Sequence, residues 1–197
     1  MKNNFQVTAK EDGNKYWIGP TIAVCVVIYA SKFSIVNEKW KIEDYILVHK
    51  RGTGCPNETG KWSVNCGYVN LEETIAQAAQ RETYEETGLK IPLNKFEFQG
   101  YADPTKADKN LGMRFLVKLS YDGLKKAIDD KVINTDTKSR GGEENEVEKY
   151  KLIPLSDVKS DKYEWAFNHK GLIQNILSGK EKIKKPTIDQ DYYFDKW

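Results

Sequence analysis

The amino-acid sequence predicts an α/β (α+β) fold in which helices cover a mixed central sheet. The longest apolar run, residues 21–30, is rich in β-branched side chains and indicates a buried strand. It is far shorter than the roughly 20 apolar residues that a membrane-spanning helix needs. Residues 71–87 carry apolar side chains at helical spacing. Strands mixed with a few helices are typical of a layered domain built on one sheet.

The first two predicted strands, residues 21–30 and 45–49, are separated by the polar stretch NEKWKIED, which indicates a long hairpin connection. Residues 51–60 contain three glycines and a proline and are predicted to form a loop. The remaining predicted strands lie at residues 61–64, 96–102, 113–119 and 147–153.

The helix at residues 71–87 is the clearest element of the sequence. Asn70 is a favourable N-cap, and Glu73 occupies the capping-box position three residues later. Gly88 is placed to end the helix, because glycine readily adopts the left-handed conformation found just after a helix. Two further helices are predicted at residues 121–131 and 164–177.

The composition fits one domain within 197 residues. Residues 1–17 form a polar lead-in, and residues 179–197 form a tail that is charged and then aromatic. The net charge of +2 gives no strong reason to expect a nucleic-acid or membrane-surface partner. An odd number of cysteines without a CxxC pair argues against a disulfide framework or a structural zinc site. Reduced thiols and a polar start without a signal peptide favour a cytoplasmic location.

Three carboxylates crowd the end of the predicted helix. Glu82, Glu85 and Glu86 lie at positions i, i+3 and i+4, so they share one helix face. Like charges at this spacing repel, and the helix macrodipole disfavours anions near the C-terminus. A hard divalent cation offsets both effects, and Mg²⁺ commonly binds a few carboxylates together with substrate phosphates. Taken alone, however, such a cluster is more often a solvated helix face.

The wider spacing decides between these two interpretations. Residues 67–89 read GYVNLEETIAQAAQRETYEETGL and fit the pattern Gx5Ex7RExxEExG. This pattern resembles the Nudix box, and residues 18–178 resemble a Nudix hydrolase domain. The resemblance implies a Nudix-type α/β/α sandwich with a mixed central sheet. One departure is Thr83, where the family prefers an aliphatic residue.

The resemblance also implies a metal centre. Glu82, Glu85 and Glu86 would bind Mg²⁺, or Mn²⁺ in its place, and the backbone carbonyl of Gly67 would add a ligand. The bound cation would neutralise the oxygens of a diphosphate and activate the attacking water.

Supporting roles follow from the same resemblance. Glu73 and Arg81 would orient the metal-binding glutamates. Glu146 matches an additional glutamate of the family that is often a metal ligand or general base, with Glu143 and Glu144 as rivals. The residues predicted to carry catalysis are therefore Glu73, Arg81, Glu85 and Glu146.

One further segment bears on the substrate. ADPTKADKN, residues 102–110, resembles the Asp-Pro loop of members that act on ADP-ribose and dinucleotides. The predicted substrate is a small nucleotide that is ADP-ribose-like, a dinucleoside polyphosphate or NAD-like, with a capped RNA end as the one nucleic-acid exception. A homodimer is suggested by the family, and no membrane partner is expected. The basic residues considered for phosphate or substrate binding are Arg51, Lys106, Lys109, Arg114 and Arg140.

Two other functions stay open. A non-catalytic Nudix-fold module could bind nucleotides or act as a regulator, although such modules often lose box glutamates that this chain keeps. Isomerisation of an isoprenoid diphosphate is known in the same superfamily. That reaction depends on histidine-rich metal ligation, and this chain has only His49 and His169.

Overall fold

The structure is a computed structural model that describes residues 5–11, 13–18, 21–103 and 110–179. Within these ranges, no helix combines the length and the apolar character needed to cross a bilayer. The strands are β1 (Phe5–Thr8), β2 (Lys15–Ile18), β3 (Ile22–Val36), β4 (Lys39–Arg51), β5 (Trp62–Ser63), β6 (Asn65–Tyr68), β7 (Glu97–Ala102), β8 (Leu111–Lys118) and β9 (Val147–Pro154). The helices are α1 (Ile75–Thr87), α2 (Tyr121–Asp129), α3 (Leu155–Val158) and α4 (His169–Leu177), with 3₁₀ turns at Leu93–Lys95 and Lys138–Arg140.

Seven strands form one mixed sheet centred on β3. β3 runs parallel to β8 and antiparallel to β4 and β6. β7 pairs with β8, while β5 and β9 pair with β4. The polar lead-in contains secondary structure that was not predicted, because β1 and β2 form a separate two-stranded hairpin.

Each side of the sheet has its own apolar core. Successive side chains of a strand point to opposite faces, so Val24 and Val26 pack on one side with Ala78 of α1. On the other side, Val27 belongs to a core that includes Ile173 of α4. The predicted fold class is therefore confirmed, with α1 and α2 on one face of the sheet and α3 and α4 on the other.

The first hairpin of the sheet is longer than predicted. β3 and β4 stay paired until the chain reverses at Asn37 and Glu38, which both have positive φ. The polar stretch 37–44 is therefore mostly strand, and the prediction of a long connection was wrong. Apolar and polar residues alternate through this stretch, and that period-2 pattern suits a strand. Residues 31–44, which extend beyond the other strands, are called the arm below.

The predicted start of α1 was also wrong. The N-cap is Thr74, whose side chain accepts a hydrogen bond from the Gln77 N–H at 3.2 Å, while the Gln77 side chain accepts from the Thr74 N–H at 2.8 Å. This second capping box competes with the predicted one. Glu73 instead accepts from the Asn70 N–H at 2.7 Å in the turn before the helix. Gly88 ends α1 as predicted, with a φ of 79°.

The last predicted helix, residues 164–177, begins only at His169. The preceding residues are held against β5, because the Trp62 N–H donates to the Glu164 carbonyl and the Ala166 N–H donates to the Trp62 carbonyl, both at 2.8 Å. This pairing with β5 holds Trp165 in an isolated bridge, and a turn at residues 166–168 then leads into α4.

Candidate active site

The end of β6 meets the second half of α1 at a glycine. The carboxyl group of Glu82 lies so close to Gly67 that a Cβ atom at residue 67 would be 2.0 Å from Glu82 Cδ. Any larger residue would displace that carboxyl group. Because Gly67 has no side chain, the Glu82 carboxylate can lie directly beside the backbone of β6.

Arg81 ties the neighbouring carboxylates together. Its guanidinium donates to both carboxylate oxygens of Glu73, at 3.0 and 2.7 Å, and to the Tyr68 carbonyl at 2.8 Å. Its Nη1 donates to Glu82 at 2.7 Å and to Glu85 at 3.0 Å. Such charge-assisted bonds to a planar guanidinium are strong and directional. Arg81 is thus anchored by Glu73 and separates two like-charged side chains that would otherwise repel.

Glu86 is the most deeply buried carboxylate of the group, at 1% exposure. The Cys66 N–H donates to its Oε2 at 3.2 Å, and His49 Nε2 lies 3.9 Å from its Oε1. Burial, together with the charges of Glu146 and Glu82, holds the pKa of Glu86 well above its usual range. Burial also lowers the pKa of His49 to about 3, so this imidazole is neutral near pH 7 and makes a polar contact rather than an ion pair.

The pKa values of Glu82 and Glu146 are both raised, and burial is the main cause in each case. Burial raises the pKa of Glu82 to about 7, although Arg81 opposes this rise. Burial also raises the pKa of Glu146. The charge of Glu85 adds to both effects. The carboxylates therefore form one group, and the positive charge of Arg81, with that of Arg51 near Glu146, does not offset the effect of burial.

Glu146 reaches this group from the turn before β9. Its Oε2 would lie 3.3 Å from a Cβ atom on Gly142, and Glu85 Oε1 would lie 3.3 Å from a Cβ atom on Gly141. The two adjacent glycines thus let carboxylates from distant parts of the chain approach the same turn.

The rivals of Glu146 have other contacts. Glu144 is exposed and pairs with Lys138 at 2.7 Å. Glu143 is also exposed, and its backbone N–H donates to Glu146 Oε2 at 3.3 Å. Among the three acidic residues of this turn, Glu146 has its carboxylate within the group formed by the helix.

The donor set fits a hard divalent cation. Carboxylate oxygens from Glu82, Glu85, Glu86 and Glu146, with the nearby carbonyl of Gly67, are the ligand types that Mg²⁺ and Mn²⁺ prefer. The raised pKa values of Glu82, Glu86 and Glu146 mean that ionising these three groups costs free energy in the metal-free protein. A cation reverses that effect by stabilising the ionised form.

A second cluster lies behind Glu86. The Sγ atoms of Cys25 and Cys66 are 2.6 Å apart, and their ligand atoms and that of His169 all lie within 4.8 Å of one another. The Val64 N–H donates to His169 Nδ1 at 3.3 Å, so a neutral imidazole carries its proton on Nε2. That tautomer makes His169 a hydrogen-bond donor to the Cys66 thiol.

The predicted substrate-binding residues have different environments. Arg51 is buried at the end of β4, where its Nε donates to the Asn57 carbonyl at 3.1 Å and its charge lowers the pKa of Glu146 against the effect of burial. Arg114 is buried on β8, opposite Cys25. Lys106 and Lys109, with most of the Asp-Pro loop, lie outside the described residues.

Two residues near the site were not recognised in these roles from the sequence. Arg140, considered only for phosphate binding, donates to the carbonyls of Tyr84 at 3.1 Å and Glu85 at 3.0 Å and so caps the C-terminus of α1. Tyr150 of β9 donates to the carbonyl of Glu86. Neither role has a local sequence signal, because both partners lie more than fifty residues away in the chain.

Comparison with known proteins extends this description. The sequence matches the NUDIX domain over residues 19–176. It is 31% identical over 100 residues to the NAD-capped RNA hydrolase NudC of Photobacterium profundum. That match covers 49% of this chain and 30% of the relative, so this chain spans less than a third of the relative's length.

Several solved structures share the fold. A mutT/nudix family protein from Listeria innocua gives a TM-score of 0.58 at 24% identity, covering 83% of this chain and 95% of that one. The NUDIX domain of Shewanella oneidensis NrtR, complexed with ADP ribose, gives 0.54 at 16% identity, covering 82% and 88%. A bifunctional NMN adenylyltransferase/ADP ribose pyrophosphatase from Francisella tularensis, complexed with AMP and a Mn ion, gives 0.52 at 18% identity, covering 82% and 42%. At these identities the likeness establishes the fold alone.

Proposed function

The chain belongs to the Nudix family, and from that premise we propose that it hydrolyses a diphosphate linkage in a nucleoside diphosphate derivative, using Mg²⁺ or Mn²⁺. The observation that carries the proposal is the buried group of carboxylates around Gly67, which Arg81 organises but does not neutralise. A buried excess of negative charge destabilises a protein unless a cation is bound there, so the arrangement favours a metal-dependent enzyme.

The residues of the site divide into three roles. Glu82, Glu85 and Glu86, with the Gly67 carbonyl, would hold the cation, which when bound would neutralise the diphosphate oxygens and polarise the attacking water. Arg81 keeps Glu82 and Glu85 at fixed positions through its two Nη1 hydrogen bonds.

Glu146 is the proposed general base. Its raised pKa makes it a better proton acceptor than an ordinary carboxylate. It would take one proton of the attacking water as the water oxygen bonds to phosphorus and the bridging P–O bond of the diphosphate breaks, which gives two phosphate products.

The proposed substrate is ADP-ribose-like, NAD-like or a dinucleoside polyphosphate. A capped RNA end is a larger substrate that contains the same diphosphate linkage. Two observations support this choice. The NrtR domain that shares the fold is complexed with ADP ribose, and NudC is named an NAD-capped RNA hydrolase.

The three free cysteines are consistent with the proposed cytoplasmic location.

A substrate panel tests the proposal directly. The purified protein is incubated with ADP-ribose, NADH, diadenosine polyphosphates and NAD-capped RNA, with Mg²⁺ or Mn²⁺ or with a chelator, and products are identified by mass spectrometry. Turnover is expected in metal only, with Glu85→Gln reduced by about a hundredfold or more. Glu97→Gln, at an exposed carboxylate of β7 that pairs with Lys118, is the matched control and should retain activity.

The same panel separates the proposal from a non-catalytic binding module. Tight nucleotide binding by calorimetry without any product, with or without metal, would favour the module and contradict hydrolysis. Equal turnover by Glu85→Gln and the parent protein would also contradict the proposed site.

A further inference from the structure

The arm (residues 31–44) carries an exposed apolar face that the rest of the described chain does not cover. Side chains directly opposite each other on an antiparallel ribbon share a face, and here Phe33 pairs with Ile42 and Ile35 pairs with Trp40. All of these side chains are between 60% and 74% exposed. Large apolar side chains grouped in this way are far more informative than scattered ones, because contiguous exposed patches mark interaction surfaces.

The opposite face of the arm is polar except for Val36 at its tip. Lys32 lies opposite Glu43 and Ser34 lies opposite Lys41. Lys32 Nζ also sits 5.3 Å from the centre of the Tyr121 ring, so this face turns toward the start of α2. The arm is therefore amphipathic: its polar face contacts α2, and its apolar face is exposed within the described part of the chain.

A polar pair, Ser31 and Asp44, lies between the exposed apolar side chains of the arm and the apolar core of the sheet. Ser31 Oγ donates to Asp44 Oδ1 at 2.8 Å at the base of the arm, on the same face as the apolar residues. Beyond Tyr29 and Tyr45, β3 and β4 pair only with each other within the described part of the chain. An isolated two-stranded ribbon is marginal in water, so a covering surface would stabilise the arm.

We propose that the apolar face of the arm binds the same face of a second copy of this chain, forming a two-fold symmetric dimer. The apolar side chains together present on the order of 500 Å². Two such faces would bury roughly 1,000 Å² in total, which is about the minimum for a specific protein–protein interface.

A second copy suits the chemistry of the face. Phe33, Ile35, Trp40 and Ile42 carry no charge, so these four side chains can meet their copies without burying an unpaired ion, while Asp44 lies at the base of the arm. The aromatic side chains supply the kind of central anchor that dominates interface energetics. In a closed two-fold contact the same patch is used by both copies, so the mutual burial leaves neither face exposed.

Sedimentation velocity of the full chain tests the proposal, at loading concentrations from about 1 µM to about 200 µM. The parent protein is expected to sediment as a dimer of its 22.7 kDa chain. Trp40→Lys would place a charge at the centre of the contact and should weaken dimerisation by about a hundredfold or more. Ser34→Lys, on the polar face of the same ribbon, is the matched control and should leave the dimer intact.

Hydrogen–deuterium exchange provides a second measurement that does not depend on a variant. Amides of residues 31–44 should be more protected at high protein concentration than at low concentration. A parent protein that stays monomeric throughout, a Trp40→Lys dimer as tight as the parent, or protection that is independent of concentration would each overturn the proposal. Binding of the monomer to lipid vesicles through Trp40 would also overturn the proposal, because the apolar face would then be a membrane-binding surface.

Discussion

Replacing Glu82 with glutamine should stabilise the metal-free protein while impairing the metal-loaded one. Burial raises the pKa of Glu82 from the ordinary 4.5 to about 7 in the folded state. The folded state therefore binds this proton more tightly than the unfolded chain. The contribution of Glu82 to the free energy of unfolding falls as pH rises from about 4.5 to about 7, and it stays low above that.

The magnitude follows from the same difference in pKa. Ionising Glu82 in the folded protein at about pH 8 costs roughly 3 kcal/mol, as an upper bound for a group that keeps some solvent contact. A glutamine side chain has nearly the same shape, cannot ionise, and can still accept a hydrogen bond from Arg81. Glu82→Gln should therefore raise the free energy of unfolding by about 1 to 3 kcal/mol in a chelator at this pH, and the gain should shrink toward about pH 4.5.

Urea denaturation with and without Mg²⁺ measures both halves of this prediction. Saturating Mg²⁺ should stabilise the parent protein, by about 3 kcal/mol at a hundredfold excess over the dissociation constant, and should stabilise the variant much less. Glu97→Gln should behave as the parent under every condition, since that carboxylate is exposed. A variant that is less stable than the parent in chelator at about pH 8, or that gains as much from Mg²⁺, would refute the reasoning.

The other predictions concern neighbouring contacts. Arg81→Lys keeps the charge but loses the forked hydrogen bonds, so kcat/KM and Mg²⁺ affinity should each fall by about 10- to 100-fold in kinetics and calorimetry. Gly67→Ala should weaken Mg²⁺ binding by at least about tenfold, whereas Gly112→Ala, whose Cβ would meet nothing nearer than 3.8 Å, should bind normally. Arg140→Gln should lower the free energy of urea unfolding by about 1 to 3 kcal/mol, because the last carbonyls of α1 lose their donor. The lowered pKa of His49 means that stability is lost as pH falls from about 6.5 to about 3, so a His49→Gln variant should show a smaller loss in acid titrations.

The helical part of the site could be predicted because helix geometry fixes it. Glu82, Glu85 and Glu86 share a face through their spacing alone, and Arg81 reaches Glu85 at i, i+4. The start of the helix was misassigned, because two capping boxes overlap and local propensity does not choose between them. The helix starts after Thr74, and Glu73, in the turn before it, accepts from both the Asn70 N–H and Arg81.

The remaining contacts depend on long-range packing. The resemblance to the family pointed to Glu146 but left two neighbours as rivals, and only the turn at Gly141 and Gly142 places one of them beside the helix. His49 of β4 lies 3.9 Å from Glu86 of α1, and no local pattern encodes a contact between elements so far apart in the chain. The arm was missed for a related reason: its alternating residues were interpreted as a polar connection, since no core covers them.

Crystals of the protein grown with Mn²⁺ offer the most direct measurement of where the cation binds. Anomalous difference density is expected among the carboxylates of Glu82, Glu85 and Glu86, close to the Gly67 carbonyl, and it should be absent from crystals of Glu86→Gln prepared in the same way. Density confined to another part of the protein, such as the Cys25, Cys66 and His169 cluster, or density unchanged in the variant, would contradict the proposed metal centre.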